Sequence, residues 1–428
     1  MPQCSNVPLK TILHNPSPVN EVMFAAKMGS SGHIHRNLIE AVETALRKIF
    51  VERRYADHVI EQLLKQNPKW GSRDRRFIAE TTYDIVRWWR KILYCGNMAE
   101  DDELLFQKSI FTWLLLQHQS LPHWMNLKMD TDSVYSRAAE AEKIRSIRES
   151  IPDWLDQFGE EESGLNWNEE IHALNEQARV VLRVNTIRCS RKDVQDELKE
   201  ADVSTEEIDG LPDALLLNRR MNVFKLVAFK QGKFEVQDAS SQWVAPFVDV
   251  TPGMRVIDAC AGAGGKTLHL AALMKISGHI IAMDTEQWKL DELKKRARRA
   301  GATNIETRLI DSSKVIKRLH QSADRVLLDV PCSGLGVLRR NPDAKWKLSP
   351  EYLIKVRQLQ QDILDRYAPM VKPGGKLIYA TCSILSSENQ NQVSAFLSRN
   401  SGFMLEEEKQ ILPSAGFDGF YMARMIRK

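Results

Sequence analysis

Two stretches hold residue types able to do covalent chemistry. Asp324–Ser333 reads D-R-V-L-L-D-V-P-C-S, and Tyr379–Ser383 reads Y-A-T-C-S. Each is an apolar run that ends in a cysteine inside a small polar turn. Short apolar runs bounded by turn residues read as buried strands of a parallel sheet, whose carboxyl ends carry the chemistry. Two such strands bring Asp329, Cys332 and Cys382 to one edge of one sheet. A carboxylate and two thiols in one cleft point to covalent attack on an electrophile. Of the six cysteines (Cys4, Cys95, Cys189, Cys260, Cys332 and Cys382) none stands at C-x-x-C spacing, so no metal is expected and a thioredoxin-like reading fails. Cys95 and Cys189 read as small buried hydrophobes.

A second cluster begins with Asp258-Ala259-Cys260-Ala261-Gly262-Ala263-Gly264-Gly265-Lys266-Thr267 after another apolar run. Glycines there let the backbone approach a ligand beside a helix N-terminus. A phosphate-binding P-loop needs glycine where Cys260 stands, and a dinucleotide fingerprint needs its third glycine where Thr267 stands. The looser loop of an S-adenosylmethionine site remains. Asp284 ends the next strand, where a carboxylate can accept both ribose hydroxyls, and Asp311 ends the one after, placed for the adenine amine. A methyl donor beside two thiols suits a pyrimidine. Its carbon 5 is a poor nucleophile until a thiolate adds to carbon 6 and makes an enamine. Asp329 is placed to stabilise such an adduct at ring nitrogen 3, and the second thiol to help release the product. Cys382 precedes a helix, whose dipole is expected to lower its pKa. The base must be single-stranded or extruded to reach the cleft.

These residues require elements to hold them. With 428 residues, 43% hydrophobic and 27% charged, the chain is long enough for two or three domains of ordinary soluble composition. No stretch approaches the ~18 apolar residues of a membrane span, no secretory pattern opens the chain, and a cytoplasmic protein is expected. Residues 1–35, with Pro2, Pro8, Pro16, Pro18 and Gly29-Ser30-Ser31-Gly32, read as a disordered extension. Residues 36–165 show helical periodicity: a stripe from Phe77 to Trp89 follows Ser72 as N-cap, and the Trp88-Trp89 pair reads as core. Residues 166–250 read as a small α+β subdomain of the open-sheet kind that often contacts RNA, with strand-like pieces at Val180–Val184, Leu215–Leu217, Val223–Phe229 and Lys233–Val236. Residues 251–428 alternate strand and helix strictly, which predicts a doubly wound, mostly parallel Rossmann-like α/β sheet closed by an antiparallel pair. Net charge is only +4. Among the basic clusters, Lys294–Arg299 reads as a solvated helix face. Arg339, Arg340, Lys345 and Lys347, interleaved with Trp346 just after the Asp329/Cys332 turn, read equally as solvated and as a phosphate grip. Arg183, on the first strand of the small sheet, joins them as a candidate RNA contact.

The loop at 258–267, D-V-P-C-S-G at 329–334, L-R-R-N-P-D at 338–343 and Y-A-T-C-S at 379–383 resemble the Nop/Sun family of RNA cytosine-5 methyltransferases. R-V-N-T at 183–186 and V-Q-D-A-S-S-Q at 236–242 share the likeness, which runs from about Trp154 to the C-terminus. The helical region, with R-D-R-R-F at 73–77, looks more loosely like the accessory domain of the bacterial small-subunit rRNA members. The resemblance implies that Cys382 is the nucleophile, that Cys332 assists product release and that Asp329 contacts the base. It implies that Asp284 and Asp311 hold S-adenosylmethionine and that Cys260, Ala261, Gly262, Ala263, Gly264, Gly265 and Lys266 wrap its methionine end. Two departures stand out: Gly262 and Ala263 replace the usual Ala and Pro, and Lys289 stands where arginine is frequent after the ribose aspartate, keeping charge but not the bidentate fork. The expected activity is formation of 5-methylcytosine in small-subunit rRNA. Transfer RNA as substrate, or a mainly non-catalytic ribosome-assembly role, are the alternatives. A nicotinamide dehydrogenase is disfavoured by Thr267 and by the lack of a proton-relay pair.

Overall fold

The computed structural model describes residues 34–428 except Asn126, Lys128, Gly164 and Leu165. The extension read at 1–35 therefore lies, but for its last two residues, outside the described residues. The chain divides after Arg148 into two compact units.

The first unit is helical. In the helix Arg36–Phe50 the buried residues Leu38, Ile39, Val42, Ala45, Leu46 and Ile49 recur every three or four positions and form one apolar face. Helices Ala56–Gln66, Ser72–Arg87, Trp89–Gly96, Leu105–Leu116 and Thr131–Ala141 follow. Ser72 is the first helical residue rather than the cap: Gly71 takes that place, its N–H donating to Asp74 at 3.3 Å. Trp89 is core as expected, stacked on Phe50 at 4.0 Å and on Phe106 at 5.9 Å between ring centroids.

The second unit starts at Glu149, earlier than the boundary read at 165. Its first helices, Asp153–Ser163 and Trp167–Asn175, bury Ile151, Leu155, Trp167, Ile171 and Leu174 against Leu335, Leu338, Leu353, Ile384 and Leu385. A four-stranded antiparallel sheet follows, made of β1 (Val181–Val184), β2 (Thr205–Ile208), β3 (Leu211–Leu217) and β4 (Phe234–Val236) in the order β2-β3-β1-β4. The strand expected at Val223–Phe229 is instead a 3-10 turn, Val223–Lys225, and a single helical turn, Val227–Lys230. The Asn222 side chain caps the Phe224 N–H at 3.1 Å and starts this turn, which buries Val223 and Ala228.

The large sheet contains β5 (Arg255–Asp258), β6 (His279–Asp284), β7 (Ile305–Leu309), β8 (Ala323–Asp329), β9 (Val371–Thr381), β10 (Phe403–Ile411) and β11 (Phe420–Arg427). Its order is β10-β11-β9-β8-β5-β6-β7; β5 to β9 pair in parallel, and β10 and β11 close the edge antiparallel. Side chains alternate between the two faces, as strand geometry requires. Val326, Leu328, Leu377 and Tyr379 fill one core, while Leu327, Ile378 and Ala380 fill the other. Chain order reverses between β5 and β8, so the carboxyl ends of these strands flank a topological switch point, where open α/β sheets bind ligands.

Candidate active site

On one side of the switch point, β5 ends in the buried Asp258, whose Oδ2 accepts the Thr267 hydroxyl at 2.7 Å and so ties the loop's two ends. Burial pushes this carboxyl up to about 7, and its Oδ1 is an orphaned acceptor among the described residues. Gly262 and Gly264 have φ of 53° and 86°, which side-chain-bearing residues rarely adopt. At Gly264 an added Cβ would stand 2.5 Å from Leu293, whereas beside Gly262 and Gly265 there is open space within 4 Å. Asp284, at the end of β6, accepts the Gly262 N–H and the Glu286 N–H, both at 2.9 Å, and Lys289 Nζ is 3.8 Å away. A carboxylate offers about four acceptor positions, so two remain for ribose hydroxyls. Asp311 is exposed just beyond β7, taking the Ser312 hydroxyl at 2.9 Å. Burial, reinforced by Asp258, Asp329 and Asp284, pushes the Cys260 thiol well up, so it is neutral. Open backbone at two glycines and carboxylates on successive strand ends fit an adenosyl cosubstrate.

On the other side, Lys266 Nζ lies 2.6 Å from Asp329 Oδ2 and 4.9 Å from the centroid of the Phe420 ring. Burial works to lower the Lys266 pKa, but the charge and hydrogen bond of Asp329, with attraction to Cys382, hold it above its ordinary value. Lys266 is thus an ammonium ion, salt-bridged to Asp329. The Cys332 and Cys382 sulfurs are 3.4 Å apart. The Cys332 thiol is pushed well up, first by its hydrogen bond to Cys382 and then by burial, so Cys332 keeps its proton. No α-helix begins directly after Cys382, contrary to expectation. A 3-10 turn, Ser386–Glu388, intervenes, and the helix Gln390–Arg399 starts after Asn389, whose side chain bonds Thr381 and Ser383 instead of capping it.

Both cysteine turns hang on a residue that sequence reasoning missed. Glu388 is completely buried. Its Oε1 accepts the Ser333 N–H at 2.8 Å and the Gln360 amide at 3.1 Å, and its Oε2 accepts the hydroxyls of Ser333 and Ser383. The residues after each cysteine are thereby joined through one carboxylate. The only trace in the sequence is S-S-E-N shortly after T-C-S.

Of the expected RNA contacts, Arg183, Arg339 and Lys345 are buried, while Arg340 and Lys347 are part-exposed and held in ion pairs. Arg183 is 3% exposed and donates to the Gly265 carbonyl and Gln237, bracing the glycine loop. Arg339, also 3% exposed, donates to the Ala173 and Pro413 carbonyls at 2.6 Å each. Arg340 bridges Asp418 at 2.7 Å and Asp238 at 2.6 Å. Lys345 is buried on Asn175 at 3.1 Å, and Lys347 pairs with Asp343. Arg339 and Lys345, buried on internal partners, hold the loop after β8 onto Trp167–Asn175.

Comparison with known proteins gives one consistent match. The family model described as "16S rRNA methyltransferase RsmB/F" matches residues 245–426, and the associated ferredoxin-like domain matches 151–224. The chain is similar to a probable ribosomal RNA small subunit methyltransferase B from Synechocystis, with 34% identity over 82% of this chain and 87% of that protein. Among solved structures, the fold is similar to that of PH0851 (TM-score 0.80, 24% identity, 93% of this chain and all of that one). It is also similar to that of NSun6 from Pyrococcus horikoshii with SFG, an S-adenosylmethionine analogue (TM-score 0.60, 20% identity, 65% of this chain and 99% of that one).

Proposed function

The chain belongs to the 16S rRNA methyltransferase RsmB/F family, and from that premise we propose that it forms 5-methylcytosine in small-subunit rRNA through a Cys382 adduct. The observation that carries this reading is the meeting of two thiols 3.4 Å apart with a Lys266–Asp329 ion pair at the strand ends beside the glycine loop. S-adenosylmethionine supplies an electrophilic methyl group; Asp284, Asp311, Lys289 and the backbone of 260–266 are the residues suited to hold it.

Cys382 attacks carbon 6 of the cytosine, and the carbon 5–carbon 6 electron pair moves toward ring nitrogen 3 and carbon 5. The Lys266 ammonium, fixed by Asp329, offers the proton or hydrogen bond that stabilises this charge. The acid of the site is thus the pair rather than Asp329 alone. Once carbon 5 carries the methyl group, its remaining proton must leave so that the electrons can restore the double bond and expel Cys382. Cys332 stands next to the departing sulfur: its thiol proton passes to Cys382 as the carbon 6–sulfur bond breaks, and its own sulfur takes the carbon 5 proton in exchange.

Methyl-labelled S-adenosylmethionine incubated with total RNA from a strain lacking the gene tests the reading. Label should appear as 5-methylcytosine in small-subunit rRNA and vanish with Cys382→Ala, while Cys332→Ala should accumulate a protein–RNA adduct stable to denaturing electrophoresis. Label confined to tRNA would move the substrate. Label retained by Cys382→Ala would refute the mechanism.

A further inference from the structure

The cations that the sequence places beside the site already have partners within the protein, yet the RNA substrate must still be gripped. Asn218–Lys230 reads N-R-R-M-N-V-F-K-L-V-A-F-K: four cations and no acid. Arg219, Arg220, Lys225 and Lys230 are all exposed, and none of their side chains makes a hydrogen bond or ion pair among the described residues. Glu206, hydrogen-bonded to Asn218 at 2.9 Å, is the acid at the segment's edge. Between these cations stand Phe224, 56% exposed, and Val227, 61% exposed.

Phe224 is held rather than loose. Its N–H is capped by Asn222, and its ring meets Phe229 edge-on at 5.0 Å. Phe229 is covered by the Arg299 guanidinium at 4.2 Å, itself anchored on Glu235 at 2.5 Å. A fixed, exposed aromatic ring flanked along the chain by exposed cations is what an unpaired base and its flanking phosphates require. The segment is also tied to the reaction centre. It leads through β4 into Gln237, which shares Arg183 with the Gly265 carbonyl. Arg299 lies about 18 Å along its helix from Gln287 at the helix's start, a span of roughly five stacked nucleotides.

We propose that Arg219, Arg220, Phe224, Lys225 and Lys230 form a docking surface for a single-stranded stretch of the rRNA substrate flanking the methylated cytosine. The proposal rests on the rRNA reading above. Phosphates pair with the four cations, and one base stacks on Phe224.

The full chain binding a small-subunit rRNA transcript, measured by filter retention between 50 and 200 mM salt, tests it. Arg219→Glu/Arg220→Glu should weaken binding about tenfold or more and flatten the salt dependence. Phe224→Ala should weaken it about tenfold while keeping that slope. KM for RNA should rise in step, with S-adenosylmethionine affinity and melting temperature unmoved. Unchanged RNA affinity and salt slope in both variants would overturn the proposal. So would variants that bind RNA normally but lose affinity for phosphatidylserine vesicles, which would assign the surface to a membrane. Failure of the wild-type chain to methylate rRNA would sink the broader reading, whereas wild-type methylation with normal KM in the variants would sink this surface alone.

Discussion

Glu388 collects four hydrogen bonds on one buried carboxylate, three of them from the serines that follow Cys332 and Cys382. Removing a buried acceptor strands its donors, at about 1–3 kcal/mol for each group left unpaired. Glu388→Ala should therefore lower the unfolding free energy by several kcal/mol, read by denaturant titration. Glu388→Gln, which keeps the shape but turns one acceptor into a donor, should fold and lose kcat by tenfold or more through misplaced thiols. A Glu388→Gln enzyme with wild-type kcat would mean that the clamp does not position them. The 3.4 Å sulfur separation has its own consequence. Hydrogen peroxide should convert the two thiols to a disulfide, releasing two waters, with a mass loss of about 2 Da and inactivation reversed by dithiothreitol. Irreversible loss with oxygen gained instead would show that the thiols cannot close. Asp329, Cys332 and Cys382 were legible because each sits at the end of an apolar run, where a strand end must expose them. Glu388 was not, because a glutamate beside a helix start ordinarily caps or faces water. Arg339 and Arg340 misled because a charge in sequence does not reveal its partner: those of Arg340, Asp238 and Asp418, lie far away along the chain.

At the level of elements, the alternating β and α pattern of 251–428 was readable because parallel strands are buried on both faces and stand out as apolar runs. The weak places were short and exposed. β2, Thr-Glu-Glu-Ile, has little apolar content, and Val223–Phe229 has apolar residues but turns at the Asn222 cap. The helix Gly265–Leu273 carries a further legible-only-in-structure feature, His269. Burial pushes its pKa down to about 4, with Arg183 adding to the effect and Asp213, 3.3 Å from Nε2, opposing it. The folded state thus refuses a proton that the unfolded chain takes up below its ordinary value near 6.5. Between those values the unfolded chain binds more protons, so the stability contributed by a neutral His269 is present above about 6.5 and is lost as pH falls toward 4. The full loss is roughly 3 kcal/mol by linkage. The difference in unfolding free energy between wild type and His269→Asn should therefore narrow by up to that amount on going from pH 7 to pH 4. A gap independent of pH would show that His269 titrates normally.

For the molecule as a whole, the decisive boundary is the one after Arg148. Helical periodicity alone grouped Asp153–Ser163 with the helices before it, because periodicity reports which face of a helix is buried but not what buries it. The structure places Ile151 and Leu155 in the same cluster as Leu335, Leu338, Ile384 and Leu385, on the loops that follow β8 and β9. The Trp167 indole donates to Asp156 at 2.8 Å, the Ser387 N–H donates to Glu162 at 2.8 Å, and the Arg339 guanidinium reaches the Ala173 carbonyl. Those two helices therefore brace the loops that carry Cys332 and Cys382. A chain shortened to begin at Glu149 should fold cooperatively and bind S-adenosylmethionine. One that begins at residue 166 loses two fully buried aliphatic side chains, each worth about 2–5 kcal/mol when truncated to alanine, and leaves the Trp167 indole without its acceptor. Calorimetry should show a sharp transition for the first and a transition lowered by ten degrees or more, or none, for the second. Equal melting of the two would mean that 149–165 contributes nothing to the catalytic unit, and the bracing role assigned to these helices would be wrong.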